Sequence, residues 1–193
     1  MPRCREIGVR IAFENHEYQT AAEVLQVVQR VDSEWVGVFC DTGNGMTIWE
    51  DPDVTVEVLA PHAITSHFKD HAVIEEDGEL MVTTVPLGKG SMDLRKHFQL
   101  LFASSLKRIN IEAVYAYRAP FRCSQDQGAG GKLGHGAFAI MPGPFHASFI
   151  PPPRFDVTSE VLEWEDQFVA ESVQFVKQLR EECENKENLP RYL

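Results

Sequence analysis

Short, nearly all-apolar runs alternate along this chain with stretches of helical spacing, and this alternation constrains its fold more than any other feature. Residues 7–13 form an apolar run closed by Glu14, and residues 20–31 follow with Ala21, Val24, Leu25 and Val28 at helical spacing. The unit recurs: WVGVFC at 35–40 ends in Asp41, the Gly-rich turn DTGNG follows, and a helix is expected over about 52–59. A third strand is expected over 62–68 (HAITSHF), a fourth over 108–115 containing Glu112, and helices over 92–104 and 159–182. Between the third strand and its helix, EEDGELMVTTVPLGKG reads as a hairpin or lid. Nearly all-apolar strands that alternate with helices indicate a parallel sheet buried on both faces, so the expected class is α/β.

An open sheet and a barrel both satisfy that pattern, and the polar residues separate them. The strands end at acidic or histidine side chains, as an active site at the carboxyl end of barrel strands requires. A complete (β/α)8 TIM barrel needs eight strands and about 250 residues. A chain of 193 residues is therefore expected to form a partial barrel, about four parallel strands with their helices, or a half-barrel. Residues 1–183 are expected to form this one domain and 184–193 a polar, frayed tail.

Charge and composition narrow the partners. Against 18 basic residues stand 29 acidic ones, a net charge of -11 that repels a phosphate backbone, so nucleic acid is not expected as a partner. No apolar run approaches the roughly 18 residues of a membrane helix, so no membrane association is expected. The start MPRCREIGVR lacks the apolar stretch of a signal peptide, and Cys4, Cys40, Cys123 and Cys183 contain no CxxC pair. A cytoplasmic location with reduced thiols is the expectation.

Glu14, Asp41, His67 and Glu112 each lie at or near the end of a different expected strand. A barrel-like arrangement aims all four into one cavity, and three carboxylates with one imidazole make a divalent-metal site. Oxygen-dominated ligation with one nitrogen suits Mn2+ or Mg2+ and also permits Co2+ or Zn2+. Without a cation the three carboxylates would repel one another. Taken singly, each residue has a plainer role: Glu14 and Glu112 as solvated carboxylates, Asp41 as a turn residue, His67 as a core histidine. Their coincidence at four successive strand ends is what points to a metal site.

The runs IAFENH, GVFCDTGN, LAPHAITSHFKD, DGELMVTTVPLGKGSMDL and INIEAVYAY resemble the last four strands and connections of the xylose isomerase-like TIM barrel superfamily. That superfamily includes sugar-phosphate isomerases, ketose 3-epimerases and the endonuclease IV type of repair enzyme. The resemblance spans roughly residues 6–117 and implies strands five to eight of the barrel. It places Glu14, Asp41, His67 and Glu112 on the four metal ligands of the isomerase and epimerase branch, with Glu14 and Glu112 also as the acid and base that move a proton next to a carbonyl through an enediolate. A sugar or sugar-acid substrate follows from the same resemblance.

Around that set, Lys69 is expected to neutralise a substrate phosphate or an enediolate oxygen, Asp70 to orient it, and His16 and Asn44 to contact substrate or support the ligands. The sequence departs from the ketose epimerases in carrying Asn44, not histidine, three residues after Asp41. It lacks the additional histidines of the repair enzymes. Two other outcomes are compatible with the same residues: a dehydratase of the superfamily, and a catalytically silent half-barrel whose exposed edges drive formation of a homodimer or an interaction module. Gly88 and Gly90 lack the spacing of a nucleotide fingerprint, His135 is expected to be exposed, and the stripe Trp164, Phe168, Val169, Val173, Val176 is expected to be a packing face.

Overall fold

A computed structural model describes residues 2–154, 156 and 158–187. Four parallel strands form the main sheet in the order β1 (Ile11–Glu14), β2 (Val36–Asp41), β3 (Ala63–Phe68) and β6 (Asn110–Ile111). Register places Glu14 beside Phe39, Asp41 beside His67 and His67 beside Asn110, so the polar strand ends line up along one rim.

Local chemistry sets the helices between the strands. In α2 (Ala21–Val31), Thr20 caps the N-terminus and Glu23 returns the bond to the Thr20 backbone, a reciprocal capping box. Asp51 caps α3 (Pro52–Leu59), which carries Pro at its first position, where no amide partner is lost. Asp93 caps α4 (Leu94–Phe102). The three helices cover one face of the sheet, where Val24, Val38, Val56, Leu59, Phe68, Phe98 and Leu101 form a continuous buried core.

The excursion after β3 is a hairpin, as its composition suggested, and it begins at once. β4 (Asp70–Glu76) and β5 (Glu79–Val85) pair antiparallel through a turn at Asp77 and Gly78, both at positive φ, the primed turn that fits strand twist. β7 (Arg118–Pro120) completes this second, three-stranded sheet. The remainder of the Gly- and Pro-rich segment is irregular apart from single turns at 125–127 and 136–138.

Several expectations are corrected. The first strand begins at Ile11 and not within the expected run at Ile7, because Ile7 ends a short helix, α1 (Pro2–Ile7), and Gly8 at positive φ turns the chain before Ile11. The fourth strand is only two residues long. Among the described residues it lies at a sheet edge, paired with β3, and the Glu112 N–H to Phe68 carbonyl bond extends the pairing. The last helix, α5 (Ser159–Glu187), runs into the expected polar tail, whose residues 188–193 lie outside the described region. On α5, Phe168 is buried as expected, but Val169 is 41 % exposed, and the inward row is Val161, Phe168, Ser172 and Leu179.

The edge of the sheet is bare on its outer face. Ile11 and Phe13 of β1 are 47 % and 39 % exposed, whereas Val38 and Cys40 of the neighbouring strand are fully buried. The architecture is thus a partial barrel of parallel β/α units with an antiparallel hairpin sheet inserted after the third strand.

Candidate metal centre

Three strand ends and the residue just beyond the fourth strand converge at the carboxyl rim. His67 Nδ1 lies 3.3 Å from Glu14 Oε1, 3.6 Å from Asp41 Oδ2 and 3.3 Å from Glu112 Oε2. Donor atoms of Glu14, Asp41 and His67 all fall within 4.8 Å of one another. Asp41 Oδ2, His67 Nδ1 and Glu112 Oε2 are shielded from solvent, and what holds them among the described residues is ion pairing, with one another and with the ammonium of Lys69. Buried polar atoms are ordinarily satisfied. Four donors left facing one another, three of them carboxylates, have the chemistry of a divalent-cation site, so the residues present fit such an ion.

Asp41 is the most constrained of the four. Its Oδ1 accepts from the backbone N–H groups of Gly43 and Asn44 at 2.9 and 2.8 Å, which fixes the carboxylate and leaves Oδ2 for the centre. Burial opposes its charge, but Lys69, His67 and the Gly43 amide outweigh burial and hold the pKa below the usual carboxylate range. Burial, followed by the negative charge of Asp41, raises the pKa of Glu14. His67 is shifted upward by its contact with Asp41, against the opposing effect of burial, with Glu112 and Glu14 adding to the rise.

Lys69 enters the same cluster. Its Nζ lies 2.8 Å from Asp41 Oδ2, contacts Glu112 Oε2, and donates to Asn44 Oδ1 at 3.2 Å. Asn44 is buried, whereas His16 is exposed beside the rim. Asp70 is engaged elsewhere: its Oδ2 accepts from the N–H groups of Gly88 and Gly90 at 3.0 and 2.8 Å, and burial pushes its pKa up to about 7. The glycine loop therefore cradles the chain's own carboxylate.

Sequence reasoning missed further groups around the centre. Asn15 is fully buried and bonds both backbone polar groups of Asp41. His71, also fully buried, has Nδ1 3.2 Å from the Gly43 carbonyl oxygen and stacks on Tyr117. Glu17, at a positive φ of 57°, receives the Tyr117 hydroxyl and the Arg122 guanidinium. None of these carries a local signal in the sequence.

Comparison with known proteins adds to this geometry. Residues 1–120 match the family model described as "Xylose isomerase-like TIM barrel". A 3-oxo-isoapionate decarboxylase of Pectobacterium atrosepticum is 25 % identical over 129 residues, covering 66 % of this chain and 46 % of its own length. The uncharacterized protein YihM of Escherichia coli is 25 % identical over 91 residues, 47 % of this chain and 28 % of that protein. The chain thus spans less than half the length of either relative. Among solved structures, a xylose isomerase domain protein from Planctomyces limnophilus superposes with TM-score 0.56 at 14 % identity, over 95 % of this chain and 49 % of the other. A xylose isomerase-like TIM barrel protein from Mycobacterium smegmatis, solved in complex with magnesium, gives TM-score 0.50 at 19 % identity over 57 % of this chain and 39 % of that one. Both likenesses are of fold.

Proposed function

We propose, because this chain belongs to the xylose isomerase-like TIM barrel family, that it uses Glu14, Asp41, His67 and Glu112 to hold a divalent cation and acts on a small sugar or sugar acid by moving a proton next to a carbonyl. The observation that carries the reading is the convergence of Glu14, Asp41 and His67 donors within 4.8 Å, with Glu112 Oε2 3.3 Å from the same imidazole. Magnesium in the Mycobacterium smegmatis relative is consistent with Mg2+ or Mn2+ here. When bound, such an ion supplies Lewis-acid polarisation of a carbonyl and its neighbouring hydroxyl.

The chain's own residues supply the rest. Glu14 and Glu112 both border His67, and a carboxylate whose pKa is raised by burial, as that of Glu14 is, accepts and returns a proton more readily near neutral pH. Asp41, locked by two backbone amides, serves as the rigid ligand. The positive charge of Lys69 offsets negative charge that develops on substrate oxygen, and Asn44 orients that ammonium. His16, exposed beside the rim, would meet substrate there. Asp70 acts at a remove, holding the Gly88–Gly90 loop against the hairpin.

Calorimetric titration with Mn2+ tests the reading, using wild type and the Asp41→Asn, His67→Ala double variant. Stoichiometric binding that disappears in the variant supports it. Absence of binding by wild type removes the metal-dependent reading and leaves a silent partial barrel. A second reading, decarboxylation of a 3-oxo sugar acid, is favoured by the similarity to the decarboxylase. Loss of CO2 from such an acid leaves an enolate that needs one proton, which one of the same two glutamates would supply. Release of CO2 distinguishes it from proton exchange with solvent at an unbroken carbon skeleton.

A further inference from the structure

Lys69 stands among the atoms that the metal reading assigns to the cation. Its ammonium touches the inward oxygens of two of the four carboxylate and imidazole donors, Asp41 Oδ2 at 2.8 Å and Glu112 Oε2, and its side chain is only 10 % exposed. The backbone fixes the stem. Lys69 N–H donates to Thr42 Oγ1 at 3.1 Å, and Thr42 Oγ1 donates to the Lys69 carbonyl at 3.2 Å. The loop opposite leaves room for it, since a Cβ on Gly43 would come 2.9 Å from Lys69 Cγ. The head is steadied by Asn44 Oδ1. A long, strongly hydrated cation is seldom buried at this level unless it is paired.

We infer that Lys69 is a tethered counter-cation of this site: it neutralises Asp41 and Glu112 in the metal-free protein and competes with a divalent ion for the same oxygens. The inference rests on the proposed metal site and adds to it a residue that sets the affinity. Two consequences follow from one charge. Without metal, Lys69 stabilises the fold, because removing it leaves three converging carboxylates without the ammonium that pairs two of them. With metal, Lys69 is a like charge among the ligands and weakens binding. Metal binding and the Lys69 contacts are therefore alternatives, and occupancy frees the ammonium for a substrate oxygen.

The test uses Lys69→Met and Lys69→Gln, with two readouts on each: the thermal midpoint in EDTA, and Mn2+ affinity by calorimetry. The expected result is a midpoint lower by roughly 5–15 °C in EDTA together with Mn2+ affinity at least about tenfold tighter than wild type. If wild type binds Mn2+ and both variants bind it equally or more weakly, Lys69 is no competitor and the inference falls while the metal site stands. Binding by the variants but not by wild type supports the inference and shows Lys69 closing the site to metal. Binding by none of the three overturns both. Should both variants fail to fold in EDTA, recovery on addition of Mn2+ but not of Na+ supports the competition, and no recovery with Mn2+ refutes it.

Discussion

Asn15 grips Asp41 by both of its backbone polar groups, donating through Nδ2 to the Asp41 carbonyl and accepting through Oδ1 from the Asp41 N–H, each at 2.9 Å. A side-chain amide here continues the parallel ladder beyond the last residue of β1 and seats the one fully buried carboxylate of the centre. Replacing Asn15 by Ala leaves a buried donor and a buried acceptor unpaired, an expected loss of about 2–4 kcal/mol. Asn15→Asp retains the acceptor, loses the donor and sets a second negative charge beside Asp41. Urea denaturation gives the stability change. On the metal reading, both variants also bind Mn2+ about 10–100-fold more weakly; wild-type affinity in a folded Asn15→Ala would separate the clamp from ligand placement.

His71 makes the protein acid-sensitive. Burial, and secondarily the Lys69 charge, lower its pKa from 6.5 to about 3, and its Nδ1 faces a carbonyl, so that nitrogen carries the proton of the neutral ring. Protonating Nε2, which has no hydrogen-bond partner among the described residues, would bury an unpaired charge. The pKa of a base is depressed in the fold, so the contribution of this neutral histidine is complete above pH 6.5 and is lost as pH falls toward 3. Between pH 6.5 and 5 that loss comes to about 2 kcal/mol. Thermal midpoints of wild type and His71→Gln across this range measure it: the wild-type curve should fall more steeply, and parallel curves would contradict the assignment.

Glu17 and Arg122 fasten the hairpin sheet to the rim of the parallel sheet. Arg122 Nε donates to Glu17 Oε2 at 3.1 Å, the Tyr117 hydroxyl donates to Oε1, and these two partners flank β7. Removing the guanidinium in Arg122→Met leaves a largely buried carboxylate half-satisfied, at an expected cost of about 1–3 kcal/mol. The loosening should be local. In hydrogen exchange, amides of paired Val82 and Ala119 should lose protection while those of Val38 and His67 keep theirs. Uniform loss across both sheets would instead mark Arg122 as part of the global core.

The strands and the four converging side chains were legible in sequence because both are written locally. An apolar run followed by one charged residue specifies a buried strand and the end at which its polar group emerges, and the register then brings Asp41 beside His67. Asn15, His71, Glu17 and Arg122 were not legible because their bonds join residues 26, 28 and 105 positions apart, and no periodicity records such a pairing. Asp70 illustrates the opposite error. Its place in HFKD, next to Lys69, suggested a substrate contact, yet the chain turns directly into β4 and carries it to the glycine loop. The shortness of β6 was also hidden, since it pairs with β3 only at His67 and Phe68, and an apolar run does not record where such a pairing stops.

Gly90 is required by close approach and Gly78 by turn conformation, and the two can be told apart. A Cβ on Gly90 would fall on Asp70 Oδ1 and 2.5 Å from the His71 carbonyl oxygen, both parts of a buried, hydrogen-bonded strand that has nowhere to shift. Gly90→Ala must therefore break the Asp70 clamp or displace β4, an expected loss of about 2–4 kcal/mol. Gly78 sits at φ +83° in the hairpin turn with no atom of the described residues within 4 Å of an added Cβ, so Gly78→Ala incurs only the left-handed backbone penalty of about 1 kcal/mol. Midpoints of urea denaturation for the two variants decide the matter. If Gly90→Ala costs no more than Gly78→Ala, the loop can move away from Asp70, and that carboxylate does not hold it in place.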